Sequence, residues 1–448
     1  MKIFIPDYVK KVLDVLYKNG FEAYIVGGCV RDSLLGKTPQ DYDICTNCLP
    51  DEMLKIFHDF KVIETGLKHG TVTVLSDAQP LEITTYRSDG EYIGHRKPMQ
   101  VKFERELSED LKRRDFTINA LCYSEKTGII DLFGGIADLN DKIIKCVGEP
   151  SKRFDEDALR IMRGIRFAST LGFEIEENTS KAIHNQKKLL NHISAERISC
   201  ELGKLLCGEN AEKILLDYRD IIGTIIPEIT PCFDFPQNNP HHCYDVYTHI
   251  CKSVSKITPD KNLRLTMLLH DIGKPCMAKV DANGISHFKK HQFISADMSD
   301  KITDRLRLDN KSREQIFNLI YEHDNRIAPN KKAVKRLMSK YDFEFMLDYV
   351  AVRTADTLAQ SEYKRTEKLA ELEEIKKLAI EINDENSCLK VSNLAINGND
   401  LIAVGLKGKE IGWALETALE AVIDEQIPNR AKEIMEYLKE QNAKNEKK

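Results

Sequence analysis

Apolar and polar residues alternate at period two in Gly70-Thr-Val-Thr-Val-Leu75 and in Leu81-Glu-Ile-Thr-Thr-Tyr86. With their β-branched content, these stretches predict two strands that each bury one face. The continuous apolar run Ala23 to Val26 predicts a fully buried strand, and helical spacing predicts helices over Asp7–Lys18 and near Asp51–Phe60. Beyond about residue 150 the helical period dominates. Several helices are expected from Pro150 to Ile226, with Gly172 and Gly208 as stops, followed by a Pro- and Asn-rich linker at Phe233–Pro240. A helical unit from His241 to about Gln360 carries most of the histidines; a charged amphipathic helix over Glu362–Ile382 and a small terminal unit, Val391–Glu440, follow. The expected class is therefore α+β: a small mixed β-sheet unit at the N-terminus, then all-α segments.

A chain of 448 residues has ample core for several units. No apolar run approaches the ~20 residues of a membrane span, and the apolar start Met1–Pro6 is too short for a secretory signal. The expectation is a soluble, cytoplasmic protein with no membrane partner. Twelve scattered cysteines fit a reducing compartment. The single Cys-x-x-Cys, Cys45 to Cys48, has no second pair to complete a zinc site. A formal net charge of −5 does not advertise a polyanion partner. Local basic clusters do, at His95 to Arg114, Lys152 to Arg166 and Lys331 to Lys340, although the last reads better as a solvated face. The polar, basic stretch from Arg87 to Lys112 suggests a mobile loop over a site.

The chemistry concentrates at Tyr24-Ile-Val-Gly-Gly-Cys-Val-Arg31 and Gln40-Asp-Tyr-Asp-Ile44. Glycines 27 and 28 between a strand and a helix let backbone N–H groups approach a phosphate. Asp41 and Asp43, at i and i+2 on an extended strand, point their carboxylates to one side, where hard oxygen donors suit Mg²⁺ held jointly with substrate phosphates. Glu82 is a candidate third ligand. A phosphate cradle beside two carboxylates points to phosphoryl or nucleotidyl transfer. At Gly27-Gly28-x-Val30-Arg31-Asp32 and Asp41-x-Asp43 the chain resembles the nucleotidyltransferase superfamily, specifically the class II CCA-adding tRNA nucleotidyltransferase and bacterial poly(A) polymerase family.

A second signal is Asp155-Glu-Asp-Ala-Leu-Arg-Ile-Met-Arg-Gly-Ile-Arg166. Asp157, Arg160, Arg163 and Arg166 recur every three residues and are expected along one slowly drifting helix face. A carboxylate at Asp157 suits the exocyclic amine that cytosine and adenine share, and Arg160 suits the adjacent ring nitrogen. Uracil and guanine would leave both groups unpaired, at roughly 1–3 kcal/mol each. Arg163 and Arg166 would serve the phosphates or steady that pair. The stretch matches the family's motif as Glu156-Asp157-x-x-Arg160. Also matched are Arg113-Arg-Asp-Phe-Thr-Ile-Asn-Ala120, whose Arg114 by resemblance contacts the nucleotide, Asp131-Leu-Phe-Gly-Gly135, and Glu196-Arg-Ile-x-x-Glu201.

Leu268-Leu-His-Asp-Ile-Gly-Lys274 resembles the HD phosphohydrolase family, whose ordered ligands fall on His249, His270-Asp271 and Asp356. That implies a divalent transition ion, with His291 and His323 as candidates for a second one.

Together the resemblances imply a head (1–150), a base-selecting neck (151–235), an HD-type body (241–360) and a tRNA-binding tail (361–448). They imply that CTP and ATP are added to tRNA by two-metal transfer, with Asp41 and Asp43 holding Mg²⁺ and Gly27, Gly28, Arg31 and Arg114 on the nucleotide. Rival readings are a poly(A) polymerase or a partial CC- or A-adding enzyme. From another class comes an RNA-end phosphohydrolase with the head as an RNA-binding module.

Overall fold

A computed structural model describes residues 2–90, 92–93, 97–98 and 101–445, and these fall into two compact units, one running up to residue 230 and including 305–307, the other comprising 231–304 and 308–445.

In the first unit seven strands form one mixed sheet. They are β1 (Ala23–Val26), β2 (Asp43–Thr46), β3 (Lys61–Ile63), β4 (Thr71–Ser76), β5 (Gln79–Thr85), β6 (Leu121–Ser124) and β7 (Gly128–Asp131), in the order β7-β6-β1-β2-β5-β4-β3. Within this sheet β2 and β5 run parallel, in a register that sets Asp43 beside Glu82 and Ile44 beside Ile83. Alternation then separates function from core. Ile44, Val72, Val74, Leu81 and Ile83 pack with Val9, Val12, Leu13 and Leu16 of helix α1 (Asp7–Lys18) and with Cys29 and Val30 of α2 (Gly28–Leu34). Each such side chain contributes about 1.5–3 kcal/mol on burial. Asp43 and Glu82 are turned to the other face. There Val26, Cys45, Tyr86, Leu111 and Cys122 form a smaller apolar cluster.

The basic connection from Arg87 to Lys112 is not a structureless loop in its described part. Arg87–Asp89 pairs with Val101–Phe103, Tyr92–Ile93 pairs with Lys97–Pro98, and a helix covers Leu107–Lys112. Residues 91, 94–96 and 99–100, with His95 and Arg96 of the expected basic cluster, lie outside the described residues.

The expected helix through Asp157 is two helices. Helix α3 (Pro150–Glu156) ends at Asp157, whose backbone is extended (φ −135°, ψ 102°), and α4 (Leu159–Leu171) begins beyond it, stopping at Gly172 with φ +70°. Helix α5 (Ala195–Leu206) packs on α4. Gly164 admits a ring, since a Cβ there would lie 3.1 Å from Phe116 Cζ.

The second unit is helical, and most of its helices start where the sequence supplies a cap. Asp245, Asp260, Asp309, Asn330 and Asp342 each accept a backbone N–H at the start of α6 (Val246–Lys256), α7 (Lys261–Leu269), α9 (Asn310–Glu322), α10 (Lys331–Lys340) and α11 (Phe343–Leu358). Helix α8 (His291–Arg305) lies between α7 and α9 in the chain, and α12 (Arg365–Asp384) packs on α11. The Phe233–Pro240 stretch is anchored rather than a free linker. Gln237 is buried, Phe235 O accepts from Val246 N, and Asn238 O accepts from Ser286 N. Helices α13 (Lys409–Ile423) and α14 (Ala431–Asn445) close a terminal cluster around Leu401, Ala414, Ala418 and Ile434. Among the described residues no helix is long and apolar enough to cross a membrane.

Candidate functional site

Gly27 has φ +81°, and a Cβ there would come within 3.1 Å of Arg114 Nη1; a Cβ on Gly28 would lie 3.7 Å from Arg31 Nη2. Two guanidiniums therefore stand over the glycine turn between β1 and α2, which suits a polyphosphate. Each is steered by its neighbours. Arg31 donates from Nη1 to Asn119 Oδ1 (2.7 Å) and from Nε to Asp32 Oδ1 (2.8 Å). Arg114 donates to Asp110 Oδ2 at 3.3 Å, and its buried Nε has no partner among the described residues. Burial would raise the pKa of Asp110, but the guanidiniums of Arg113 and Arg114 outweigh it and hold the carboxyl below its ordinary value.

Asp43 opens β2, opposite Val26 of β1 and beside Glu82 of β5. Asp41 lies two residues ahead of the strand, not in it as the sequence suggested. The Asp43 side chain keeps solvent access, yet its pKa is pushed up to about 6 by desolvation first and then by Asp41, with Arg114 opposing and Glu82 adding. Asp43, with Asp41 and Glu82 beside it, forms an oxygen-donor set whose negative charge is concentrated at one point, which is the fit Mg²⁺ requires.

The four residues expected on one helix face occupy different places. Asp157 sits at the break between α3 and α4, where Oδ1 accepts Leu159 N (3.1 Å) and Oδ2 accepts Arg197 Nη2 (3.3 Å). Arg160 is buried and braced from three sides. It donates to Glu156 Oε2 (2.9 Å), Arg153 O (3.0 Å) and Arg113 O (2.7 Å). Arg163 pairs with Asp115 (2.6 Å) and Arg166 with Glu201 (2.8 Å). The guanidinium carbons of Arg31, Arg163 and Arg166 lie 5.1, 5.3 and 3.6 Å from the centre of the Phe167 ring. Asp115 links the two regions, because Asn119 bonds both to it (3.1 Å) and to Arg31 (2.7 Å). Asn119, Asp115 and Phe167 were not singled out as site residues from sequence. Asp131 serves its own turn, accepting Gly135 N (2.8 Å) and Ile136 N (2.9 Å).

In the helical unit, His249 on α6, His270 and Asp271 after α7, and Asp356 on α11 converge. His249 Nε2 lies 3.2 Å from Asp271 Oδ2 and 3.0 Å from Asp356 Oδ1, and His270 Nε2 lies 3.2 Å from Asp271 Oδ2. All four donors lie within 4.8 Å of one another. Burial lowers the pKa of His270, but Asp271 and Asp356 outweigh it and push it up to about 10. Both carboxyls are held well below the usual range: burial raises them, and histidines, with Lys274 beside Asp271, reverse it. A buried set of two imidazoles and two carboxylates is a mixed N/O site for a divalent transition ion. His291 and His323 close on the far side of Asp271.

The site borders a cavity of ≈ 240 Å³ whose wall carries Lys274, Lys289, Arg326 and Lys368 together with the carboxylates of Asp271, Asp324 and Asp356. Support came from residues the sequence left unmarked. Gln237 receives Lys274 Nζ (2.9 Å), and Gln360 joins Lys368 (2.6 Å) to Asp356 (2.9 Å). Burial, then Lys274 and His249, hold His242 on the same wall down to about 2.

Family models match at residues 23–145 (poly A polymerase head domain), 172–233 (probable RNA- and SrmB-binding site of polymerase A) and 293–438 (tRNA nucleotidyltransferase domain 2, putative). The CCA-adding enzyme of Enterococcus faecalis is 34% identical across 99% of this chain and 98% of its own length. That of Ligilactobacillus salivarius is 44% identical over a stretch spanning 55% of this chain and 64% of that protein. The crystal structure of the Bacillus stearothermophilus CCA-adding enzyme in complex with CTP superposes with a TM-score of 0.76 at 28% identity, covering 99% of this chain and 100% of that one.

Proposed function

The chain belongs to the CCA-adding enzyme family, and from that membership we propose that it adds or repairs the 3′-terminal CCA of tRNA from CTP and ATP without a nucleic-acid template. One observation carries the reading: Asp43 sits in register with Glu82, just after Asp41, in the unit whose glycine turn lies under Arg31 and Arg114. Asp41 and Asp43 would hold Mg²⁺, which when bound supplies activation of the RNA 3′-hydroxyl and neutralisation at the α-phosphate. The chain's own groups do the positioning. Gly27 and Gly28 bring backbone to the triphosphate and leave room for the guanidiniums of Arg31 and Arg114.

Base choice falls to Asp157 and Arg160. Glu156 and two carbonyls hold Arg160 in place, so it meets a base without reorganising. Asp157 Oδ2 gives up only the long 3.3 Å bond to Arg197 to accept an exocyclic amine. Arg163 and Arg166, held by Asp115 and Glu201, steady the helix that follows. This assigns the catalytic head to residues 1–150, base selection to the neck at 151–235, the metal-bearing body to 241–360, and tRNA contacts to the tail at 361–448. The relatives give no preference to poly(A) synthesis. We propose further that His249, His270, Asp271 and Asp356 hold a divalent transition ion; with that ion offsetting Asp271 and Asp356, the Lys274, Lys289, Arg326 and Lys368 of the adjoining cavity favour phosphoester hydrolysis as the chemistry it adds.

Substituting Asp41→Ala or Asp43→Ala tests the head. Nucleotide addition is expected to vanish while a gel-shift assay shows tRNA binding within about twofold of the parent, because single phosphate contacts rather than these carboxylates carry RNA affinity. Retained turnover would sink the assignment.

A further inference from the structure

Asn119 joins the glycine turn to helix α4. It ends a single 3₁₀ turn, Thr117–Asn119, just ahead of β6, and is 6% exposed. Its backbone lies against the glycine turn: a Cβ on Gly27 would stand 3.7 Å from Asn119 O, and Gly27 N donates to Leu121 O (3.0 Å). Its side chain meets two groups of opposite character. Oδ1 accepts Arg31 Nη1 at 2.7 Å, and Nδ2 donates to Asp115 Oδ1 at 3.1 Å. A guanidinium only donates and a carboxylate only accepts, so the amide has one orientation here, with both ends satisfied. Aspartate in its place would lose the donor, and leucine both bonds.

The row of contacts continues into α4. Asp115 Oδ1 also accepts Phe116 N (2.8 Å), which leaves Oδ2 to Arg163, from Nε at 2.8 Å and Nη2 at 2.6 Å. Two charge-assisted bonds from one guanidinium fix its direction as well as its distance. Arg163 stands one turn beyond Arg160 on α4. It also approaches the same Phe167 ring as Arg31, their guanidinium carbons lying 5.3 and 5.1 Å from its centre. Arg31, Asn119 and Asp115 are buried, so breaking one of these bonds strands a polar group away from water. A packed helix shifts as a unit. The seat that Arg160 takes on a base is therefore felt at Arg163, and through Asp115 and Asn119 at the guanidinium over the glycine turn.

We propose that Asn119 is a positioning residue that couples base choice to phosphate placement. A base seated on Asp157 and Arg160 sets α4, and the link through Asp115 and Asn119 sets Arg31 on the triphosphate in step with it. A base that misses the pair leaves α4, and with it Arg31, out of place. Part of the discrimination then falls in the rate of addition rather than in binding. This inference rests on the nucleotidyltransferase reading above and adds a residue to it.

The test is single-turnover addition by the full chain, with Mg²⁺, to a tRNA transcript lacking its last three nucleotides. CTP or UTP is titrated so that the rate constant and the apparent Kd separate. Asn119→Leu is expected to lower the rate constant for CTP about 10- to 100-fold, with the Kd for CTP and the rate constant for UTP each within about threefold of the parent. With Asp157→Ala it should be non-additive, the second substitution costing at least about fivefold less than it does alone. Because a buried amide variant can fail to fold, Arg163→Leu cuts the same link at a side chain that is 34% exposed, and must give the same split. Equal losses for CTP and UTP, additive losses with Asp157→Ala, or a change confined to Kd overturn the coupling while leaving the reading it rests on intact. No addition by the parent overturns both.

Discussion

Asp157 shows what a single side chain is asked to do. It interrupts two helices, accepts one backbone N–H (3.1 Å), and keeps its second oxygen on a weak bond to Arg197 (3.3 Å). Removing the carboxylate leaves Arg160 in place and deletes one half of the proposed base-reading pair. Asp157→Ala should therefore cost roughly 1–3 kcal/mol of selectivity, read as a ~5- to 150-fold fall in the preference for CTP over UTP in single-turnover incorporation. Unchanged preference would move base choice elsewhere. At this scale the sequence was most legible where chemistry demands one residue type. Asp41, Asp43, the paired glycines and the His-Asp dipeptide all announce themselves. Their supports did not, because Arg163 finds Asp115 across 48 residues and Arg166 finds Glu201 across 35, and no local pattern signals such a pair.

Among elements, α4 carries the clearest lesson. Arginines every three residues continued the helical period through Asp157, but a short acidic side chain that bonds its own following backbone competes with helix there, and the chain breaks. Helix α1, by contrast, begins and ends at Asp7 and Lys18 as its periodicity indicated. Helix α4 is tied to the strand unit through Asp115. Burial raises this carboxyl's pKa, but Arg163 foremost, with Asn119 and the Phe116 N–H, holds it well below the usual range. A depressed folded-state pKa stabilises above the unfolded value of about 3.9 and loses that contribution as pH falls through the folded value. Asp115→Asn should then lower unfolding free energy at pH 7 by roughly 1–3 kcal/mol, discounted because Arg163 is about a third exposed. The two proteins should converge in strongly acidic denaturant titrations. A deficit that persists unchanged down to pH 2 would assign it to packing instead.

Across the whole molecule, charge is local. The basic cluster of α10 is engaged within its own unit: Lys331 with Glu381 (2.9 Å), Lys332 and Arg336 with Asp424 (2.8 and 2.9 Å), Lys335 with Glu425 (2.8 Å) and Lys340 with Glu322 (2.6 Å). The run keeps the solvated face expected of it, with Arg336 and Lys340 more than half exposed, and its ion-pair partners lie too far along the chain for composition to reveal them. The proposed metal centre acts at the same scale, since His249, His270, Asp271 and Asp356 come from α6, the end of α7 and α11. Loading with Mn²⁺ at a hundredfold its dissociation constant should stabilise that helical unit by about 2.7 kcal/mol. The shift should appear in calorimetry as a raised melting transition, absent in His270→Ala; a metal-insensitive melt in the parent would contradict it.

The central claim is decided by incubating the protein with Mg²⁺ and a tRNA transcript lacking its last three nucleotides, offering CTP and ATP singly and together, and reading the products at single-nucleotide resolution. The account predicts two additions from CTP, a third only when ATP is present, and then a stop. A long ladder of adenylates, or no extension beside a competent control enzyme, would contradict it.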